Sequence, residues 1–333
     1  MTANRLKIKF EFLSYILLGI FTTYFIGTRA ESIGSDTATY NQFFDYVKFD
    51  TDLDANFSRI EIGFYWLTKL ISYFTDSKEL YLSIIFLIQF IGITSLLKKK
   101  SNIFKPYLFL ALIWFSYPFF YSITLNVLRQ GLAFVFVIYA IDARLQNKRI
   151  FPYILLLAGA LFHYATLLYV IGFIVVDINI KTRQIFFIWL VTILISFLGL
   201  MDKFILLVLK NLVGLDPYFS TYLNSSIDDN YITGFRFDFL VFSAIPVFYY
   251  HAIKKFNGGS EDIYLIFKLY LSMNIIYWCF TGFPFNDRFA IASWLLMPLL
   301  IDFALLKKVK LLIFFKIAVI ISSACMFYYY LFK

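Results

Sequence analysis

FPYILLLAGALFHYATLLYVIGFIVV, residues 151–176, is a run of 26 residues whose one ionisable side chain apart from tyrosine is His163. Cations flank it on both sides, with Arg144, Lys148 and Arg149 before it and Lys181 and Arg183 after it. So long an apolar run belongs in a bilayer, where about 20 apolar residues make one crossing. Lys and Arg collect in the short cytoplasmic loops of membrane proteins, so a single crossing would leave one flank on the wrong side. The reading that keeps both flanks inside bends the run into a broken hairpin near His163 and Gly159, entering from the cytoplasm and returning to it.

Working outward, the rest of the chain has the same character. Of its 333 residues 61% are hydrophobic, 22% aromatic and only 15% charged, which is too apolar for a soluble domain of this size. Further spans are expected at 11–27, 80–97, 106–122, 124–141, 184–200, 236–253, 263–281, 288–306 and 311–331. The fold class is therefore all-α, a polytopic integral membrane protein of about ten to eleven membrane helices in one domain covering 1–333.

With Arg5, Lys7 and Lys9 inside, the first helix exports residues 28–79 as a long outer loop. The helix at 80–97 brings Lys98, Lys99, Lys100 and Lys105 back inside only if the amphipathic stretch 60–74 does not cross. That stretch is read as an interfacial or re-entrant helix on the outer face. In this scheme seventeen of the thirty cations lie in six short inner segments, and the two long outer loops, 28–79 and 201–235, hold seven. A crossing over residues 204–215 would also restore parity, but it is short for a span and strands Lys181 and Arg183 outside.

The net charge of +9 thus reflects sidedness and attraction to anionic lipid, and calls for no nucleic acid. The first helix is expected to be an anchor, because Gly-Thr-Arg-Ala-Glu follows its apolar run where a signal peptide would carry a small-x-small site. The two cysteines, Cys279 and Cys325, stand in or at the ends of spans without ligand partners at metal spacing. No metal and no cofactor are expected.

Charges held in or against a membrane cost about 2.5–3.5 kcal/mol each at a helix centre, so each is a functional candidate. Five groups qualify, all on the outer side of this topology. Arg129 and Gln130, with Asn126 one turn earlier, sit near the outer end of the span 124–141. Alone, Arg129 would read as a residue snorkelling to headgroups; its polar company favours a cavity. Asn286, Asp287 and Arg288 open the span 288–306. Asp287 suits a helix N-terminus, whereas Arg288 is electrostatically out of place there unless an anion is near. Gly34-Ser35-Asp36-Thr37 with Tyr40 reads locally as an ordinary turn, and Arg59 and Glu61 as the charged rim of the interfacial helix. His163-Tyr164 is the fifth group: most buried histidines are structural, but a broken helix can line a cavity. Arg236, at the start of the span 236–253, joins the binding candidates.

Read in order, Gly-x-Asp-Thr-x-x-Tyr (34–40), Glu-x-Gly-Phe (61–64), Leu-Arg-Gln-Gly-Leu-Ala (128–133), Leu-Phe-His-Tyr (161–164) and Asn-Asp-Arg-Phe (286–289) resemble the EpsG-type family of exopolysaccharide proteins. That family is grouped with the Wzy-type polymerases of capsule and O-antigen assembly. The resemblance implies a multi-pass glycosyltransferase of the bacterial inner (plasma) membrane. At the outer, periplasmic face it would join oligosaccharide repeat units carried on undecaprenyl pyrophosphate, without a metal. Membrane lipid and a chain-length regulator are the further partners it suggests. The chain departs from the pattern in having Tyr164 after His163 where a small hydroxyl residue is expected.

The residues fit that chemistry. A departing diphosphate needs bidentate cationic contacts, which Arg129 and Arg288 would supply without a metal. The acceptor hydroxyl needs a general base, for which His163 and Asp36 compete; His163 is preferred, with Asp36 as a sugar ligand. Arg59 and Glu61 would shape the acceptor site, and Tyr40, Tyr164 and Phe289 would stack on sugar rings, with Asn126, Gln130, Arg236 and Asp287 as further binding candidates. The alternatives are a glycan ligase sharing the leaving group, a flippase or transporter of the lipid-linked oligosaccharide, and a membrane O-acyltransferase. A transporter would be expected to show an internal repeat and cations deep on both halves, and an acyltransferase a histidine open to the cytoplasm.

Overall fold

The computed structural model describes residues 2–49, 60–100, 107–178, 180–201, 203, 233–257, 260–283, 286–301 and 312–332. Among them every regular element is helical. Two compact units emerge, one from residues 1–167 with 303–333, the other from 168–302.

In the first unit the helices are α1 (Thr2–Gly27), α2 (Thr37–Phe49), α3 (Ile62–Ser72), α4 (Lys78–Lys100), α5 (Tyr107–Phe115), α6 (Pro118–Tyr121), α7 (Leu128–Leu145) and α8 (Phe151–Ala160). Two more follow later in the chain: α9 (Thr166–Asp177), which begins at the junction of the units, and α14 (Leu312–Phe332), which returns to the first. Along α1, Phe10–Gly27, and along α14, Ile313–Phe332, are long and apolar enough to cross a bilayer. Both leave most of their large apolar side chains exposed, the reverse of helices packed into a soluble core. Tyr15 of α1 bonds Thr94 of α4 at 2.8 Å, and Ser323 of α14 donates to the Leu112 carbonyl of α5 at 2.7 Å.

The expected outer segment 28–79 is not a loop throughout. It contains α2, whose Tyr40, Phe43, Phe44 and Val47 recur at helical spacing and are buried. Against them pack Phe64 and Ile71 of α3 and Tyr81, Leu82 and Ile85 of α4, with Leu128 and Leu132 of α7 closing the cluster. Phe43 stacks on Phe64 and Phe44 on Tyr81, with centroids 5.6 and 4.7 Å apart. With 11 residues, α3 rises only about 16 Å and is too short to cross a bilayer by itself. One face buries Phe64, Thr68 and Ile71 while Ile62, Trp66 and Leu70 on the other are exposed, as the expected non-crossing amphipathic stretch requires.

Two boundaries expected from sequence move. The pair 106–122 and 124–141 does not turn at one point: α5 stops at Phe115, Pro118 starts the single turn α6, and Ser122–Asn126 form a wide π-type turn before α7. Asn126 therefore lies in that turn and not on the helix that carries Arg129. The apolar run 151–176 breaks where expected, with α8 ending at Ala160 and α9 beginning at Thr166.

The second unit holds most of α9 with α10 (Thr182–Phe197), α11 (Phe237–Asn257), α12 (Glu261–Cys279) and α13 (Asn286–Trp294). The expected helix 288–306 ends at Trp294; a turn and a 3-10 segment at Met297–Leu300 follow, since Pro298 cannot continue an α-helix. Asn274 organises this unit. Its amide donates to Ser243 and Ser293 at 3.0 and 2.9 Å, and its carbonyl oxygen accepts from Trp189 and Trp278 at 2.7 and 2.9 Å. A buried amide so fully used pins α10, α11, α12 and α13 together.

Candidate functional site

Four of the five sequence motifs converge in the first unit. Gly34 has φ of +86°, which a side chain would strain, and a Cβ there would also lie 2.7 Å from Asn126 Oδ1. The turn can thus press onto the π-type segment, where Ser35 N–H donates to Asn126 Oδ1 at 3.0 Å. Asp36 follows, half-buried, its carboxylate accepting from Ser35 Oγ at 2.9 Å and its carbonyl from Tyr40 N–H at 3.0 Å.

A residue outside the expected set braces this corner. Arg29 is only 8% exposed, and its guanidinium donates to Ile26 O at 2.6 Å, Thr37 Oγ1 at 3.1 Å and Leu125 O at 3.4 Å. Burial lowers its pKa to about 10, which leaves it cationic at neutral pH. In the sequence it reads as one more loop cation, because nothing local to it records burial.

A second close approach brings the next two motifs together. Gly63 N–H donates to the Leu161 carbonyl at 2.7 Å, and a Cβ on Gly63 would lie 2.7 Å from that same oxygen. Only glycine lets the first turn of α3 dock on the break between α8 and α9. Glu61, at the N-cap of α3, has extended backbone but makes no capping bond with its side chain. Its carboxylate turns instead to the break and to α7. Oε1 lies 2.8 Å from His163 Nδ1, and Oε2 accepts from Arg129 Nη1.

The resulting cluster is layered. Glu61 is 3% exposed, while the side chains of His163 and Arg129 keep 18% and 26% of their surface open. Beneath Arg129 the buried Tyr40 accepts a hydrogen bond from the guanidinium. Burial raises the pKa of Glu61, but the hydrogen bond from His163 and the Arg129 charge outweigh it and hold the carboxyl below its ordinary value. The Glu61–Arg129 pair is therefore ionised at neutral pH, with the His163 imidazole joined to it through Nδ1.

Two expectations change with this geometry. Tyr40 does not offer its ring for sugar stacking: it is buried edge-on against Phe64, centroids 5.7 Å apart, with its hydroxyl on Arg129. Glu61, expected at the acceptor site, has both carboxylate oxygens committed to protein partners. Gln130 is buried one residue beyond Arg129, whereas Tyr164 stands 65% exposed beside His163. Arg59, and the expected outer loop 201–235 up to residue 232 apart from residues 201 and 203, lie outside the described residues.

The fifth motif belongs to the second unit and is described within it. The Thr281 carbonyl accepts from Gly234 N–H at 2.9 Å and from the Asn286 amide at 2.5 Å, tying the segment before α11 to the start of α13. Arg236 consequently comes within electrostatic reach of Asp287; it also pairs with Asp238 and lies 3.7 Å over the Phe239 ring. Asp287 and Arg288 occupy the first turn of α13, both half-buried. Phe289 stacks at 5.0 Å on Phe280, which covers one face of the ring expected to meet a sugar. Among the described residues no three His, Cys, Asp or Glu side chains gather as a metal site.

No curated protein and no solved structure matches the chain. The EpsG family model does, over residues 12–333, and the chain belongs to the EpsG family.

Proposed function

We propose that the protein is a polysaccharide polymerase that joins oligosaccharide repeat units carried on undecaprenyl pyrophosphate at the periplasmic face of the bacterial inner membrane. Membership of the EpsG family supports a role in exopolysaccharide polymerisation, and the exposed apolar faces of α1 and α14 support residence in the membrane. The observation that carries the mechanism is the juxtaposition, on one carboxylate, of Arg129, a side chain left partly open, with His163, an imidazole at a helix break.

In this reading the acceptor hydroxyl attacks the anomeric carbon of the donor glycan. The new glycosidic bond forms, the carbon–oxygen bond to the diphosphate breaks, and the diphosphate leaves with the electron pair. Arg129 stabilises the developing charge through its guanidinium, and His163 takes the hydroxyl proton. Asp36, held by Ser35 on the same corner, is a sugar-hydroxyl ligand, and the exposed Tyr164 ring is a stacking surface. Arg236 and Arg288 of the second unit are anion ligands in their own right.

The test is made in cells with Arg129→Lys, which keeps the charge and loses the planar fork. Polymer should fall while single repeat units still reach the cell surface, because export precedes the blocked step. Lipid-linked precursor trapped inside, with no single units outside, would make the protein a mover of substrate.

A further inference from the structure

We infer that Glu61 is a positioning residue for the reaction, selecting the His163 tautomer with the proton on Nδ1 so that Nε2 is the atom that receives the acceptor hydroxyl proton. The inference rests on the proposed polymerase reading and deepens it.

An ionised carboxylate only accepts, so a nitrogen 2.8 Å from Glu61 Oε1 must carry the hydrogen it shares. In the neutral ring that leaves the lone pair on Nε2. Free neutral imidazole has no such constraint, so the choice is imposed by Glu61. The other oxygen of the same carboxylate holds Arg129. One buried side chain therefore sets both the base and the anion ligand, and Gly63, two residues along, clamps it to the break that carries His163.

Charge counting gives the second role. With the ring in its neutral form, the cluster of Arg129, Glu61 and His163 carries no net charge. When the sugar hydroxyl loses its proton to Nε2 the ring becomes imidazolium, and it does so already in contact with a carboxylate that stabilises it. The imidazolium then returns the proton to water, restoring the starting state. Glu61 needs no substrate contact for any of this, in keeping with its 3% exposure.

The experiment uses full-length protein in detergent. The chain has two histidines, so imidazole ¹⁵N spectra of wild type and His251→Gln assign His163 directly. At a pH where the ring is neutral, wild type should show the Nδ1–H tautomer and Glu61→Gln should lose that preference. Polymerisation of a synthetic lipid-linked repeat unit should show kcat falling about 100-fold in Glu61→Gln with KM little changed, at the low end of what general-base catalysis contributes. In a His163→Ala background the same substitution should cost far less than in wild type, the remainder coming from its hold on Arg129, because residues acting as a unit are not additive. Glu61→Asp, which keeps the charge, guards against loss of folding and should retain part of the tautomer preference.

An unchanged tautomer in Glu61→Gln, or a rise in KM with kcat intact, would overturn the inference and return Glu61 to the substrate site. A wild-type protein that shows the Nδ1–H tautomer but forms no polymer would instead overturn the polymerase reading alone.

Discussion

His163 Nδ1 and Glu61 Oε1 lie 2.8 Å apart although 102 residues separate them in sequence. The contact is held from behind by the Gly63-to-Leu161 backbone hydrogen bond of 2.7 Å, so two neighbouring links fix the start of α3 to the break in the run 151–176. The break thereby presents a histidine to a carboxylate that is itself paired with Arg129.

Gly63→Ala tests that clamp. Its Cβ would sit 2.7 Å from the Leu161 carbonyl, a backbone atom that cannot swing away. Stability should drop by about 1–3 kcal/mol, the usual cost of overpacking, and polymer yield should fall with it because Glu61 is carried away from His163. Thermal unfolding in detergent beside a polymer assay reads both; wild-type behaviour in both would mean that the close approach is unimportant.

Acid should loosen the same cluster. Glu61 has a folded-state pKa below its ordinary 4.5, so its contribution to stability is fully present above that value and is lost as pH falls through the folded-state value. Unfolding temperature followed from pH 7 down to about 3 should show an acid limb that shrinks in Glu61→Gln. An acid limb of the same size in the variant would place its origin elsewhere.

The crossing pattern can be probed by thiol labelling in a background lacking Cys279 and Cys325, the free cysteines. Ser35 and Thr233, both exposed, should react with an impermeant external reagent after replacement by Cys, while Gln146 and Lys255, also exposed, should be protected in intact cells. External labelling at position 255 would reverse the orientation of α11 and α12.

The sequence made some of this legible and hid the rest for physical reasons. The break at 161–165 was readable because a 26-residue apolar run with cations at both ends, a central His163 and a nearby Gly159 has few other solutions. The long helices were readable from hydropathy. By contrast α2 reads as loop by hydropathy: its buried Tyr40, Phe43, Phe44 and Val47 alternate with Asn41, Gln42, Asp45 and Lys48, which dilutes hydropathy while preserving helical spacing. Pro298 in the expected span 288–306 was the visible sign that no helix runs through it.

Within the site, the chemistry-bearing residues could be picked out singly but their partnerships could not. Arg129 and His163 stood out as polar groups in apolar surroundings, whereas the use of Glu61 between them, of Tyr40 beneath Arg129 and of Arg29 as a brace depends on contacts between distant segments that carry no local signal.

The most direct measurement is incubation of purified protein, in detergent or reconstituted, with a synthetic undecaprenyl-pyrophosphate-linked repeat unit, followed by separation of products by size. The account predicts a ladder of longer glycans with release of the lipid diphosphate, persisting in excess EDTA and reduced about 100-fold or more in His163→Ala, the loss expected when a general base is removed. Consumption of the substrate without any product longer than one repeat unit, or a ladder unchanged in His163→Ala, would contradict it.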